Sequence, residues 1–142
     1  MLYLSWIKYQ ERGYKLIQKV KGTQDILPEE SSIWNYIENI IRNTCKNYGF
    51  NEIRTPIIEH TEVFTKSIGL ETDIVTKEMY TFQTKGDKSI TLRPEGTAGT
   101  VRCYSENKIY GRENITRWFY FGPMFRAERP QKGRQRQFHQ FG

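Results

Sequence analysis

Between Pro28 and Gly49 apolar side chains recur at helical spacing: Ile33, Trp34, Ile37, Ile40, Ile41, Cys45 and Tyr48. This predicts one amphipathic helix of about five turns with a single apolar stripe. Pro28 suits the first turn, Glu29 and Glu30 complement the positive end of the helix dipole, and Gly49 can take the left-handed conformation that ends it. Phe50 to Ile58 reads as a strand; Pro56 cannot donate a ladder hydrogen bond, which places that strand at an edge or interface, or gives it a bulge. A short helix is expected over Thr61 to Ile68, closed by Gly69. Met79 to Thr84 and Ser89 to Arg93 are β-type runs joined by a hairpin turn at Lys85-Gly86-Asp87-Lys88. Thr97 to Tyr104 reads as a helix. The run Trp118-Phe119-Tyr120-Phe121 is too dense in aromatics for a half-exposed strand, so it is expected centrally in a sheet and broken by Gly122-Pro123. Met124 to Arg129 and Gln137 to Phe141 are the final strands, flanking a polar loop from Pro130 to Arg136. Antiparallel neighbours with helices beside them predict an α+β fold, an antiparallel β-sheet flanked by helices. Residues 1 to 20 carry no informative pattern.

The composition fits this picture. Of 142 residues, 37% are hydrophobic and 27% charged, which excludes collagen-like and wholly disordered chains. The apolar start is interrupted at Lys8, and no run reaches the ~18 apolar residues of a membrane helix, so a cytoplasmic protein is expected. Cys45 and Cys103 stand far apart, with only two histidines in the chain, and neither a disulfide framework nor a metal site is indicated. The net charge is +6, and the last 31 residues hold seven basic and two acidic side chains. Such a local excess fits an anionic partner, nucleic acid or nucleotide phosphate, or else a solvated basic face.

Strand alternation gives that basic end a chemical shape. Arg126 and Glu128 share one face of their strand, and Phe138 and Gln140 share one face of the returning strand. With the turn aligned, all four stand on one surface. A guanidinium can hold a phosphate, a carboxylate can accept from an exocyclic amine, a phenyl ring can stack on a base, and an amide can donate and accept. The loop adds Lys132, Arg134 and Arg136 around Gly133, a cationic arm for triphosphate or RNA backbone. A solvated charged hairpin has the same spacing. A second candidate is Leu92-Arg93-Pro94-Glu95-Gly96-Thr97-Ala98-Gly99, where a strand runs into a helix start. There an anionic Glu95 can hold an ammonium and the glycines allow close approach; a capped turn is the simpler alternative.

Four segments carry a family resemblance: Lys21 to Pro28 (KGTQDILP), Tyr48 to Pro56, Thr91 to Gly99, and Phe121 to Gly142 (FGPMFRAERPQKGRQRQFHQFG). From about residue 17 onward the chain resembles the N-terminal part of histidyl-tRNA synthetase, a class II aminoacyl-tRNA synthetase. The resemblance implies that the helix and strand from Ile33 to Pro56 are the first class-defining motif, a homodimer interface, and that the terminal hairpin is the second, which binds ATP. It further implies that Glu95, Gly96, Thr97, Arg126 and Gln140 bind histidine, with Arg126 also gripping the α-phosphate as the catalytic residue. Arg126, Glu128, Arg134 and Phe138 would bind ATP, and Gln131, Lys132, Arg134 and Arg136 would serve phosphates and the acceptor end of tRNA(His).

The implied reaction is activation of histidine by ATP with Mg2+, followed by transfer to tRNA. It needs no protein nucleophile, and His139 is then a packed strand residue rather than a base. The family's third motif, a glycine-rich strand ending in arginine, and its anticodon-binding domain are absent from these 142 residues. The chain therefore reads as residues 1–16, an unassigned extension, and 17–142, the N-terminal part of a catalytic domain, expected to be inactive by itself. Two other readings stand beside this one. One is a synthetase-like regulatory subunit of ATP phosphoribosyltransferase, against which the intact Glu95-Gly96-Thr97 and the terminal RQFHQ run argue. The other is a generic basic RNA-binding module.

Overall fold

The computed structural model describes residues 17–68, 78–129 and 131–142. The first helix, α1, spans Pro28–Asn47 and is followed by β1 (Asn51–Glu52), β2 (Ile58–His60) and α2 (Thr61–Ile68). Then come β3 (Thr81–Gln83), β4 (Ser89–Leu92), α3 (Thr97–Glu106), a 3-10 turn at Ile109–Gly111, β5 (Trp118–Phe119), β6 (Phe121–Phe125) and β7 (Gln137–Phe141). The α+β class is as expected. Among the described residues no helix is long and apolar enough to cross a membrane. The helix closure expected at Gly69 lies outside the described residues.

α1 has the predicted bounds, and Gly49 at φ +74° ends it. Its apolar positions, however, form two stripes rather than one. Trp34, Ile41 and Cys45 turn inward, while Ile33, Tyr36, Ile37 and Ile40 are largely exposed. Residues three and four apart share a helix face, so the two sets lie on neighbouring faces and only one meets this chain's own strands. The inward contact is aromatic: the Trp34 ring centroid lies 4.6 Å from that of His139 and 6.4 Å from that of Phe121.

The strand expected from Phe50 to Ile58 is divided into β1 and β2. β1 pairs in parallel with β5, and β2 joins β4 and β3 in an antiparallel sheet of order β2–β4–β3. The five residues between β1 and β2, Pro56 among them, cross from one sheet to the other. The parallel pair departs from the all-antiparallel expectation; a parallel partner must come from far along the chain, and no local spacing announces it. The hairpin between β3 and β4 turns where predicted, with Asp87 at φ 55°. Thr91, fully buried on β4, lies 2.8 Å from the hydroxyl of Thr61 and 3.0 Å from that of Thr81, which ties α2 and β3 to the central strand.

Gly122-Pro123 does not break the aromatic run; the break falls at Tyr120, and Gly122 and Pro123 lie inside β6. Arg126 N–H donates to Arg136 and Tyr120 exchanges both backbone hydrogen bonds with Gly142 across the β6–β7 ladder. Alternation then points the backbone of Pro123 away from β7, where its missing N–H costs nothing. The strand expected from Met124 to Arg129 likewise ends at Phe125.

One buried cation joins these pieces. Arg93 is 8% exposed, and its guanidinium donates to the carbonyls of Pro123 and Thr55 at 2.9 Å each and to the Thr55 hydroxyl at 3.3 Å. Its own N–H donates to Ile57 and its carbonyl accepts from Phe125. Burial pulls its pKa below the usual arginine value, opposed by the nearby Glu59 carboxylate. Arg93→Met removes the donors and leaves buried carbonyls unpaired, so it should cost about 2 to 4 kcal/mol of stability, read as a lowered urea midpoint. An unchanged midpoint would contradict this bridging role. Burial also pushes the His139 pKa below its ordinary value, with Glu38 acting in the opposite sense. The folded state favours neutral His139, so this contribution is present above about pH 6.5 and is lost as pH falls below it. His139→Gln should flatten that part of the dependence of the urea midpoint on pH.

Candidate functional site

The β6–β7 ladder sets the first half of the site. Met124 pairs with Phe138 and Gly122 with Gln140, so Arg126, one alternation beyond Met124, lies on the face of Phe138 and Gln140 as predicted. The contacts agree: the Arg126 guanidinium carbon stands 5.0 Å from the Phe138 ring centroid. Its Nε donates to the carbonyl of buried Pro94 at 3.1 Å, and its Nη1 lies 3.8 Å from Glu128 Oε1. Arg126 is thus braced on one side by an aromatic face and on another by a carbonyl, with its terminal nitrogens left over. Glu128 is 12% exposed, and among the described residues its buried Oε2 has no hydrogen-bond partner. The closest cation to it, Arg134 Nε at 3.6 Å, gives charge compensation without a hydrogen bond. A buried carboxylate oxygen in this state keeps its acceptor capacity for an N–H group.

The second half is the start of α3. Both Glu95 oxygens accept backbone hydrogen bonds, from Thr97 N–H at 2.5 Å and Ala98 N–H at 2.7 Å. Glu95 therefore caps the helix, and its negative charge stands at the positive end of the dipole. Capping and ligand binding do not compete, because each carboxylate oxygen keeps a further lone pair. Gly96 N–H donates to Gln140 Oε1 at 3.0 Å, which leaves the Gln140 amide NH2 as the group it presents outward. The Thr97 hydroxyl lies 3.0 Å from that of Tyr120. The two segments singled out separately in the sequence thus converge, joined by Arg126 to Pro94 and by Gly96 to Gln140.

The loop residues divide. Gln131, Lys132 and Arg134 are exposed around Gly133, which has φ +82°, and Gln131 and Arg134 close a small bridge. Arg136 does not share their exposure. Its Nε donates to the carbonyl of Glu128 and its Nη1 to that of Lys21, while its backbone N–H donates to Gly22 at 2.7 Å. That guanidinium is spent on straps between the KGTQD segment and the hairpin. Arg93 and Tyr120 have no signature of a site role in the sequence. Arg93 lies inside the Leu92 to Gly99 segment, but nothing local distinguishes a buried arginine from a surface one, and Tyr120 is one aromatic among four.

Comparison with known proteins gives the family. A family model described as Histidyl-tRNA synthetase matches residues 22–142. Histidine–tRNA ligase of Thermosipho africanus is 59% identical over 127 residues, and that of Streptococcus agalactiae serotype III 61% over 128, each match covering 89% of this chain. The chain spans about 30% of the length of these curated relatives. Among solved structures, apo histidyl-tRNA synthetase of S. aureus superposes with a TM-score of 0.72 at 47% identity, covering 89% of this chain and 28% of that one. A Bacillus halodurans protein described as an ATP phosphoribosyltransferase regulatory subunit/histidyl-tRNA synthetase shares the fold with a TM-score of 0.72 at 22% identity. With a family match that runs through both halves of the site, this chain belongs to the histidyl-tRNA synthetase family and has its class II synthetase fold.

Proposed function

We infer that the protein is a cytoplasmic histidine–tRNA ligase, which activates histidine with ATP and passes it to tRNA(His). In this reading residues 17–142 are the N-terminal part of its catalytic domain and residues 1–16 an extension before it. The observation that carries the reading is the meeting of a braced arginine, a buried carboxylate oxygen without a hydrogen-bond donor and an acidic helix start within one hydrogen-bonded unit.

Each group has a matching task. Phe138 stacks on adenine, and Glu128 Oε2 accepts from its exocyclic amine. Glu95 and the Thr97 hydroxyl accept from the histidine ammonium, Gly96 allows its close approach, and the outward Gln140 NH2 donates to its carboxylate. That carboxylate attacks the α-phosphorus: a carbon-linked O–P bond forms, the bond to the β-phosphate oxygen breaks, and pyrophosphate leaves. The free nitrogens of Arg126 meet the charge developing on the α-phosphate. The 3′-terminal ribose hydroxyl of the tRNA then attacks the histidyl carbonyl and AMP leaves. ATP enters as its Mg2+ complex, the metal supplying charge neutralisation on the phosphates. Gln131, Lys132 and Arg134 face the phosphates and the acceptor end, whereas Arg136 acts through the backbone it holds.

The names of the relatives near 60% identity support ligase over regulatory subunit. Histidine-dependent charging of tRNA by the full-length protein is the deciding experiment; association with a phosphoribosyltransferase and no charging would overturn it. In the full-length protein Arg126→Ala should slow histidine-dependent ATP–pyrophosphate exchange by roughly 10²-fold or more, since an oxyanion donor is worth about 2.7 to 4 kcal/mol. Arg129→Ala, at an exposed position beyond the end of β6, should lose far less. Equal losses at both would overturn the assignment.

The partner surface in this reading is the outward stripe of α1, where Ile33, Tyr36, Ile37 and Ile40 lie exposed side by side, as in a helix awaiting a second copy. Ile37→Glu should shift the molecular mass in multi-angle light scattering from dimer to monomer. A wild-type protein that is monomeric at all concentrations would refute the dimer.

A further inference from the structure

Tyr120 occupies an unusual position. It lies between β5 and β6 and exchanges backbone hydrogen bonds of 2.9 and 3.1 Å with Gly142. Strand alternation places it on the face of Gly122 and Arg126, so its side chain belongs to the site surface at the end remote from the Phe138 ring. Two glycines press on it from different sides. A Cβ on Gly96 would fall 2.3 Å from Cε2 of the ring, and a Cβ on Gly142 would fall 2.4 Å from its hydroxyl oxygen. No methyl group fits at either position without moving the ring, so the glycine backbones and the tyrosine define one another's location. The hydroxyl held in this way lies 3.0 Å from Thr97 Oγ1.

Thr97 is exposed at the first turn of α3, where an unrestrained threonine hydroxyl divides its time between rotamers. The Tyr120 contact selects one. Whichever oxygen donates, Thr97 Oγ1 retains a lone pair, because a hydroxyl has two lone pairs and one proton. That remaining acceptor stands beside the Glu95 carboxylate, whose Oε2 is bound to the backbone N–H of the same threonine. We propose that Tyr120 is a positioning residue for amino-acid recognition: clamped between Gly96 and Gly142, its hydroxyl holds Thr97 Oγ1 in place as the second acceptor, with Glu95, for the ammonium of the amino acid. This rests on the histidine-activating reading above and extends it to a residue that touches neither adenine nor phosphate.

The test uses the full-length protein and histidine-dependent ATP–pyrophosphate exchange. Tyr120→Phe keeps the ring between its glycines and removes only the hydroxyl. It should raise the KM for histidine about three- to tenfold, the worth of one neutral hydrogen bond, and leave the KM for ATP and the melting temperature unchanged. Thr97→Val should raise the KM for histidine at least as much. The double variant should be no worse than Thr97→Val alone, because the hydroxyl of Tyr120 acts only through that of Thr97. An unchanged KM for histidine in Tyr120→Phe, an equal rise in both KM values, or additive effects in the double variant would overturn the proposal. If Glu95→Gln and Arg126→Ala lower exchange while Tyr120→Phe leaves it intact, the ligase reading stands and this inference fails. If neither of those two variants affects exchange, both fail.

Discussion

The fold turns on a single buried guanidinium. Arg93 leaves β4 at the point where the chain must pass from the three-stranded sheet to α3, and there it contacts β6 and the segment that crosses from β1 to β2. Its side chain reaches the crossing segment at Thr55 and the β6 backbone at Pro123, and its main chain pairs with Ile57 and Phe125. An arginine suits this place because its planar fork supplies several donors at fixed angles, and the carbonyls it meets have lost their water. The fit is close enough to dictate a neighbour: a Cβ on Gly122 would fall 2.7 Å from Arg93 Nη2. The cost of burying the charge is moderated by Glu59, itself buried and paired with Arg102 of α3.

The location of the site follows from that anchor. Residues 94–97 directly follow Arg93, so fixing Arg93 against β6 also sets where Glu95 and the first turn of α3 stand relative to the hairpin. Two hydrogen bonds, Arg126 to Pro94 and Gly96 to Gln140, then complete a surface with a cation and an aromatic ring at one end and an acidic helix start at the other. β7 has a double role because neighbouring side chains on a strand face opposite ways. His139 packs into the Trp34 and Phe121 rings beneath the hairpin, while Phe138 and Gln140 form the upper surface. The inward stripe of α1 and the candidate nucleotide surface are in this way two sides of one strand.

What the sequence by itself determined is whatever depends on neighbours a few positions apart. The 3.6-residue recurrence located α1 and Gly49 marked its end; the alternation of side chains put Phe138 and Gln140 on one face of their strand, which the β6–β7 register then joins to that of Arg126; the Lys85 to Lys88 turn placed the β3–β4 hairpin. These are local rules of backbone geometry. The quoted motifs carried the family, and with it the expectation that the Glu95 segment and the hairpin work together.

Tertiary structure decided what depends on partners distant in the chain. The run after Phe50 became two short strands because β1 and β2 find different partners, β5 and β4, each distant along the chain. Pro123 could remain inside a strand because its missing N–H faces away from β7, a fact of ladder register rather than of residue type. α1 shows one apolar stripe inward and another outward because only one of two adjacent faces meets this chain's strands. The straps made by Arg136, the clamp on Tyr120 and the bridge built by Arg93 had no local signature. Each is a polar or aromatic side chain whose role is set by which carbonyls, hydroxyls and glycines folding brings within 3 or 4 Å of it, and such long-range proximity is not encoded by the spacing of neighbouring residues.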